Sequence, residues 1–319
     1  MEAKEAGDRV AEQAHEISLA LVDADAAVDE AKVLAAHEQN RRSWNMATPA
    51  HQSHKRSQAD FFRNGGSTLF PEEVELLGSL DGLSVVHLQC NCGQDTLSLL
   101  RLGAAHVVGV DISDAAIAEA QQLSVDTGLA ADFERDDVLL WLDKSRNEKF
   151  DVVFTSYGVL GWLGDLRRWA RGISGLLKPG GRLVLVEFHP LAWSFRDGGT
   201  LTGDPYFIDA PGGRCDEPGG VSDYVASSGD GLIPEGMGWA QGECGFSNPE
   251  PTIEYQHTVG DIVTALSAAG LFIRSMREYP FSNGCQMFGG MRPLPGRRFA
   301  MPEGLASVPL MLSITAEHR

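Results

Sequence analysis

Short apolar runs alternate with amphipathic stretches through the middle of the chain, and that alternation predicts strands and helices in turn. Residues 84–89 read as a buried strand through Val85, Val86 and Leu88. Cys90-Asn91-Cys92-Gly93 reads as a tight turn, and a helix is expected over 95–102. Gly103 stops it, because glycine takes the left-handed conformation without a Cβ clash. Val107-Val108-Gly109-Val110 forms the next strand, with Asp111 at its carboxyl end. Ser113 caps a helix that runs to Thr127 and stops at Gly128. A third strand is expected over 131–135, a short helix over 138–142, and an apolar fourth strand over 150–156. Asp165 opens a helix to Leu177, and Lys178-Pro179-Gly180-Gly181 turns the chain into a fifth strand over 182–188. Late in the chain Thr258 and Asp261 make a capping box for a helix ending at Ala269, followed by strands over 271–278 and 308–316.

Strand, turn, helix and strand in that order make a βαβ unit, which crosses over right-handed. Ligands of such sheets bind beyond the carboxyl ends of the strands. Asp111 lies eighteen residues after Gly93, where a carboxylate accepts hydrogen bonds from ribose hydroxyls. The stretch 85–113 therefore predicts a nucleoside site. A dinucleotide fingerprint needs glycines that admit a pyrophosphate, yet only Gly93 of that pattern is present, and the turn holds no Lys or Arg.

This segment instead resembles motif I of the class I S-adenosylmethionine-dependent methyltransferases, in a sub-branch form LQC-x-x-G-x-DT. Gln89 stands where the family's acid does, with Asn91, Gly93 and Asp95 in place of its three glycines. Leu177-Lys178-Pro179-Gly180-Gly181-Arg182-Leu183 is a second family marker. The resemblance begins near Trp44. It implies an α/β fold: a doubly wound, mostly parallel, seven-stranded Rossmann-like sheet whose antiparallel last strand inserts between strands five and six. It also implies S-adenosyl-L-methionine as cofactor and S-adenosyl-L-homocysteine as product. Gln89, Cys90, Asn91, Gly93, Asp111 and Ile112 would contact the cofactor, and either Gln89 or Asn91 bonds it where relatives use the acid and backbone. Asp137 and Val138 match the adenine position, with Asp136 able to exchange roles with its neighbour. Ser156 and Tyr157 fall beside the sulfonium. Phe62 and Arg63 would face the methionine end, Arg63 as partner of its carboxylate, unless their segment is an ordinary surface loop.

Composition narrows the field. The net charge is −18 and the pI about 4.8, a surface that repels phosphate backbones and argues against a nucleic-acid substrate. The short basic clusters Arg41-Arg42, His54-Lys55-Arg56, Arg167-Arg168 and Arg297-Arg298 are expected on solvated faces. There is no apolar run of membrane-spanning length and no signal-like start, and five cysteines are an odd number, so a reducing cytoplasm is expected. Cys90-x-Cys92 has no second pair at zinc spacing, and His51 and His54 have no matching acids, so no metal is expected.

The remaining segments set the expected organisation. Residues 1–43 read as a helical extension, with a thin heptad seam through Val10, Ala14, Ile17, Leu21, Ala24, Val28, Ala31 and Ala35. It would lie across its own domain as a lid, or pair two copies as a homodimer. Residues 44–319 form the catalytic domain, and 191–254, rich in Gly, Pro and aromatics, form a partly mobile acceptor-binding cover with short strands around Tyr206 and Tyr224. Glu187 and His189 end strand five where a general base could stand, with Tyr157 a third catalytic candidate; His189 otherwise serves only the turn before Pro190. His257 faces the acceptor or bonds the helix entry. The function expected is methyl transfer to a small molecule of secondary metabolism, by O-, N- or C-methylation. Two alternatives stand beside it: a methyltransferase-like nucleoside-binding or scaffold protein without turnover, and Mg-dependent C-methylation of an isoprenoid diphosphate.

Overall fold

The computed structural model describes residues 28–145, 147–208 and 213–319. Helix α1 (Glu30–Ser53) is followed by α2 (Gln58–Arg63) and α3 (Pro71–Leu77). Then the expected alternation begins: β1 (Ser84–Leu88), α4 (Gln94–Arg101), β2 (His106–Asp111), α5 (Asp114–Thr127), β3 (Asp132–Arg135), α6 (Val138–Lys144), β4 (Phe150–Ser156), α7 (Leu166–Leu176) and β5 (Leu177–Phe188). After β5 come β6 (Arg214–Glu217), α8 (Tyr224–Ser228), β7 (Thr252–Tyr255), α9 (Val259–Ala268), β8 (Leu271–Tyr279), the short strands β9 (Phe281–Asn283), β10 (Arg292–Leu294) and β11 (Arg298–Ala300), and finally β12 (Met311–His318).

Seven strands form one sheet in the order β8-β12-β5-β4-β1-β2-β3. The pairs from β5 to β3 are parallel, and β12 runs antiparallel to both β5 and β8. That is the expected topology. The twofold period of a strand sends neighbouring side chains to opposite faces. Val86, Val108 and Val153 accordingly pack with α6, α7 and α9 in one cluster, while Val85, Val107 and Val152 pack with Leu77, Leu80 and Leu99 in another. Caps behave as read: Ser113 Oγ accepts from Ala116 N at 3.1 Å, and Thr258 with Asp261 forms a reciprocal box.

Three expectations change. Residues 1–27 of the heptad seam lie outside the described residues, and α1 runs on to Ser53 through Pro49, crossing the expected division at 43/44. Pro49 costs a backbone hydrogen bond, but the helix continues because Ala47, Ala50 and His51 are buried around it. Ala31 and Ala35 are exposed, while the buried face of α1 is Val33, Ala36, His37, Asn40 and Ser43. That face packs on α5 and β7 of the same chain. Second, Tyr224 opens a helix rather than a strand, and Tyr206 lies in no strand. Third, the last strand begins at Met311, later than its apolar pattern suggests.

The cover is fastened to α1. Asn40 Nδ2 donates to Ile253 O at 2.7 Å and its Oδ1 accepts from Ile253 N at 2.8 Å. Ser43 Oγ donates to Glu250 O at 2.8 Å, and His51 Nε2 donates to Ser222 O at 2.8 Å. His54 Nε2 reaches Asp223 at 2.9 Å. His51 and His54 are thus spent as fasteners. Helix and cover together make one roof over the carboxyl edge of the sheet.

Candidate active site

Beneath that roof is a cavity of about 480 Å³. Its floor is the turn after β1. Five described non-glycine residues have left-handed φ, and four of them line this cavity: Gln89 (57°), Asn91 (49°), Tyr157 (40°) and Arg297 (61°). Such conformations cost free energy and persist where the surrounding structure enforces them, commonly at functional sites.

Asp111 sits at the end of β2, its Oδ2 accepting from Asn91 N at 2.8 Å and its Oδ1 from Ser113 N at 2.8 Å. Each oxygen keeps a further lone pair for a ligand. Burial pushes this carboxyl above its ordinary value, while the amides of Ser113, Asn91 and Ile112 oppose the shift. Asn91 Oδ1 accepts from Cys92 N at 2.7 Å, a local bond that fixes the turn. Gln89 donates to Val159 O at 3.0 Å, and its Oε1 is buried without a partner. Cys90 lines the cavity, its thiol pushed well up by burial and therefore neutral. Burial likewise pushes Cys92 up to about 12, so neither is a poised thiolate.

At the end of β3 the structure separates the two acids. Asp137 lines the cavity, whereas Asp136 turns away to Lys144 at 2.6 Å. Asp137 Oδ1 caps α6 by accepting from Leu139 N at 2.8 Å, and its Oδ2 takes His37 Nδ1 at 2.6 Å. His37 Nε2 accepts from Gly164 N at 3.3 Å, which sets the Nδ1–H tautomer. Ile112 and Val138 add apolar walls, and Ser156 and Tyr157 stand at the end of β4.

Several expected site residues are elsewhere. Phe62 is fully buried in the cluster of Leu97, Ile117 and Phe133, because the apolar face of α2 packs against α4 and α5. Arg63 lies on the outer face, bonded to Asp60 at 2.9 Å and to Asp126 O, so it does not reach the cavity. Gly93 does not line it either: a Cβ there would come within 2.7 Å of Phe133 and 2.8 Å of Ala120, so its side faces packing.

Neither proposed base borders the cavity. Glu187 is buried, and its carboxylate accepts from the amides of Gly158, Val159 (2.8 Å), Leu160 (2.9 Å) and Phe188 (2.6 Å). It holds the turn after β4 instead. His189 accepts Leu191 N at Nδ1 (3.1 Å) and meets Glu278 through Nε2 at 3.0 Å, so both ring nitrogens serve the fold. His257 Nε2 donates to Leu163 O at 2.8 Å, which leaves it at the helix entry.

Other residues enter that sequence reasoning did not assign. His37 and Trp44 come from α1, and Lys55 and Arg297 from short basic clusters expected on solvated faces. Lys55 is half-buried, its ammonium pushed below its ordinary range by burial, with no ion-pair partner among the described residues. Phe188 and Trp193 (centroids 6.0 Å apart) and Tyr157 with Phe188 (5.6 Å) make an aromatic end to the cavity. Among the described residues no group of three or more His, Cys, Asp or Glu side chains is arranged to hold a metal, and no helix is long and apolar enough to cross a membrane.

Comparison with known proteins agrees with this geometry. Residues 86–183 match a family model described as a methyltransferase domain. The ribosomal protein L11 methyltransferase of Vibrio cholerae serotype O1 is 31% identical over 114 residues, 35% of this chain and 36% of that protein. The matched stretch thus spans only about a third of the curated relatives' own length. In three dimensions the chain resembles S-adenosylmethionine-dependent methyltransferases from Mesorhizobium loti (TM-score 0.50, 21% identity, 79% of this chain and 98% of that one) and Listeria monocytogenes (0.51, 18%, 78% and 95%). The strand order, the acids ending β2 and β3 and the matched central stretch agree: residues 86–183 match a methyltransferase domain, set in a fold shared with S-adenosylmethionine-dependent methyltransferases.

Proposed function

We propose that this protein transfers the methyl group of S-adenosylmethionine to a small acceptor bound under the 191–254 cover. The observation that carries the reading is one continuous cavity running from the Asp111 carboxylate to the aromatic corner of Tyr157, Phe188 and Trp193. About 480 Å³ lies within the ordinary range of small-ligand sites.

The donor set fits the cofactor. Asp111 would accept from the ribose diol, and Ile112 and Val138 would hold the adenine ring between apolar walls. Asp137 Oδ2 keeps a lone pair beside its bond to His37 for the adenine amino group. The buried, unpartnered Oε1 of Gln89 matches the ligand's ammonium. Lys55 takes the role first expected of Arg63, as partner of the methionine carboxylate, because it lines the cavity near the turn after β1 with no ion-pair partner among the described residues.

The bound cofactor supplies an electrophilic sulfonium methyl. The chain's residues contribute alignment and exclusion of water. Tyr157 and Ser156 border the point of transfer, Glu187 fixes the turn that carries Tyr157, and α1 with the cover closes the top. The L11 methyltransferases are named for a protein acceptor. A roofed cavity with an aromatic end favours a small one here.

Titration with S-adenosylhomocysteine tests the premise. Asp111→Ala is expected to weaken binding by about 100-fold or more, the effect of two lost charge-assisted hydrogen bonds. Equal affinity in the variant removes the ribose assignment. Transfer of labelled methyl across a panel of small acceptors tests turnover, and a methyl that never leaves the cofactor would favour a binding protein.

A further inference from the structure

One corner of the cavity holds donors that the cofactor contacts above leave unused. Arg297 lies there half-buried with left-handed φ of 61°. Its guanidinium stacks 4.0 Å from the centroid of Phe70 and donates to Thr68 O at 3.0 Å and Leu232 O at 3.4 Å. A guanidinium carries five N–H donors, and no carboxylate among the described residues lies within ion-pair distance of this one. Its neighbour Arg298 contrasts with it, being paired with Glu72. Asp95 and Glu73 are the acids near Arg297. Asp95 Oδ1 is occupied by the Thr68 hydroxyl at 2.5 Å.

Tyr157 faces the same corner. Asn283 Nδ2 donates to the Tyr157 hydroxyl at 2.9 Å and to Glu72 at 3.2 Å, while Asn283 Oδ1 accepts from Arg298 Nε at 3.3 Å. These contacts fix the amide orientation, so Tyr157 oxygen is an acceptor toward Asn283 and its proton points elsewhere. Glu73 lies nearby, fully buried, with Oε2 accepting from Phe70 N at 2.6 Å and Oε1 without a hydrogen-bond partner. Burial pushes this carboxyl well above the ordinary carboxylate range, and a hydrogen bond from Tyr157 is among the influences that oppose the shift. The guanidinium N–H groups left free on Arg297 are therefore cationic donors, with the Tyr157 hydroxyl beside them, set among Phe70, Phe188 and Trp193.

We propose that Arg297 and Tyr157, the latter oriented by Asn283, form a subsite for a carboxylate on the methyl acceptor, which makes the acceptor class a small aromatic or unsaturated acid. The inference rests on the methyltransferase reading above. A carboxylate is shared chemistry, since the cofactor also carries one, but Lys55 stands ready for that one.

Calorimetric titrations distinguish the cases. On wild-type protein saturated with S-adenosylhomocysteine, benzoate is expected to bind at least about tenfold more tightly than benzamide, the scale of one charge-assisted bond. Arg297→Gln should bring the two ligands within about threefold, Arg297→Lys should retain part of the preference, and Tyr157→Phe should reduce it. Retained S-adenosylhomocysteine binding reports that a variant is folded. Equal or undetectable binding of benzoate and benzamide by the wild type overturns the subsite. If Arg297→Gln weakens S-adenosylhomocysteine tenfold but leaves its decarboxylated analogue unchanged, the subsite belongs to the cofactor and the acceptor assignment falls. If the wild type binds no S-adenosylhomocysteine at all, it is the cofactor reading that fails.

Discussion

Glu187 illustrates how a residue's type and place mislead until its partners are known. A carboxylate ending a central strand reads as a base, yet four backbone amides converge on it. Removing it leaves those buried donors unpaired, at about 1–3 kcal/mol each where no water replaces it. Glu187→Ala should therefore lose on the order of 3 kcal/mol or more of stability, read as a lower Tm. Lost turnover with an unchanged Tm would return Glu187 to the chemistry. Arg297 and Lys55 err in the opposite direction. As members of short basic clusters they look solvated, but loops distant in sequence close over them. Nothing within a few residues of either announces that.

At the scale of elements, α1 and the cover act as one roof, and Asn40 is its main fastener. The side chain pairs with both backbone groups of Ile253, as a neighbouring strand would. Asn40→Ala orphans an N–H and a C=O and should cost about 1–3 kcal/mol locally. The expected readout is faster amide exchange in α1 and β7, with exchange in β1 and β4 unchanged, and a faster off-rate for S-adenosylhomocysteine. Uniformly faster exchange across the sheet would mean global destabilisation instead. The βαβ core was legible because its signals are local: period-two apolar runs in β1, β2 and β4, and glycines after α4 and α5. The 44–80 and 191–254 stretches were not, because α1 continues through Pro49 with Ala47 and Ala50 buried, and its partners there, such as Ser222 on His51, come much later in the chain.

The whole molecule balances buried groups of opposite sign against pH. His51 and His87 are held neutral by burial, each pushed down to about 4, so the stability they contribute is present above pH 6.5 and lost as pH falls toward 4. Glu254 opposes them. Burial, with Glu217 and Asp204 nearby, raises it to about 7. The folded state then binds an extra proton between about pH 4.5 and 7, and ionisation of Glu254 costs stability as pH rises through that window. Glu254→Gln removes this cost. Relative to wild type, the variant's Tm should rise from pH 5 to pH 8, by an amount corresponding to about 2–3 kcal/mol. A pH-independent difference would show that Glu254 titrates normally.

The sequence alone determined the sheet and its strand-end acids, and its motifs implied the cofactor class. Backbone propensity, apolar period and the turn after β1 are written in contiguous residues, and Asp111 follows at a fixed distance along the same unit. Only the tertiary structure decided which of Asp136 and Asp137 faces the cavity, that Glu187, His189 and Arg63 do not, and that His37, Lys55 and Arg297 do. Those outcomes depend on burial and partner geometry between segments separated by dozens to hundreds of residues, and long-range packing leaves no local mark in the chain.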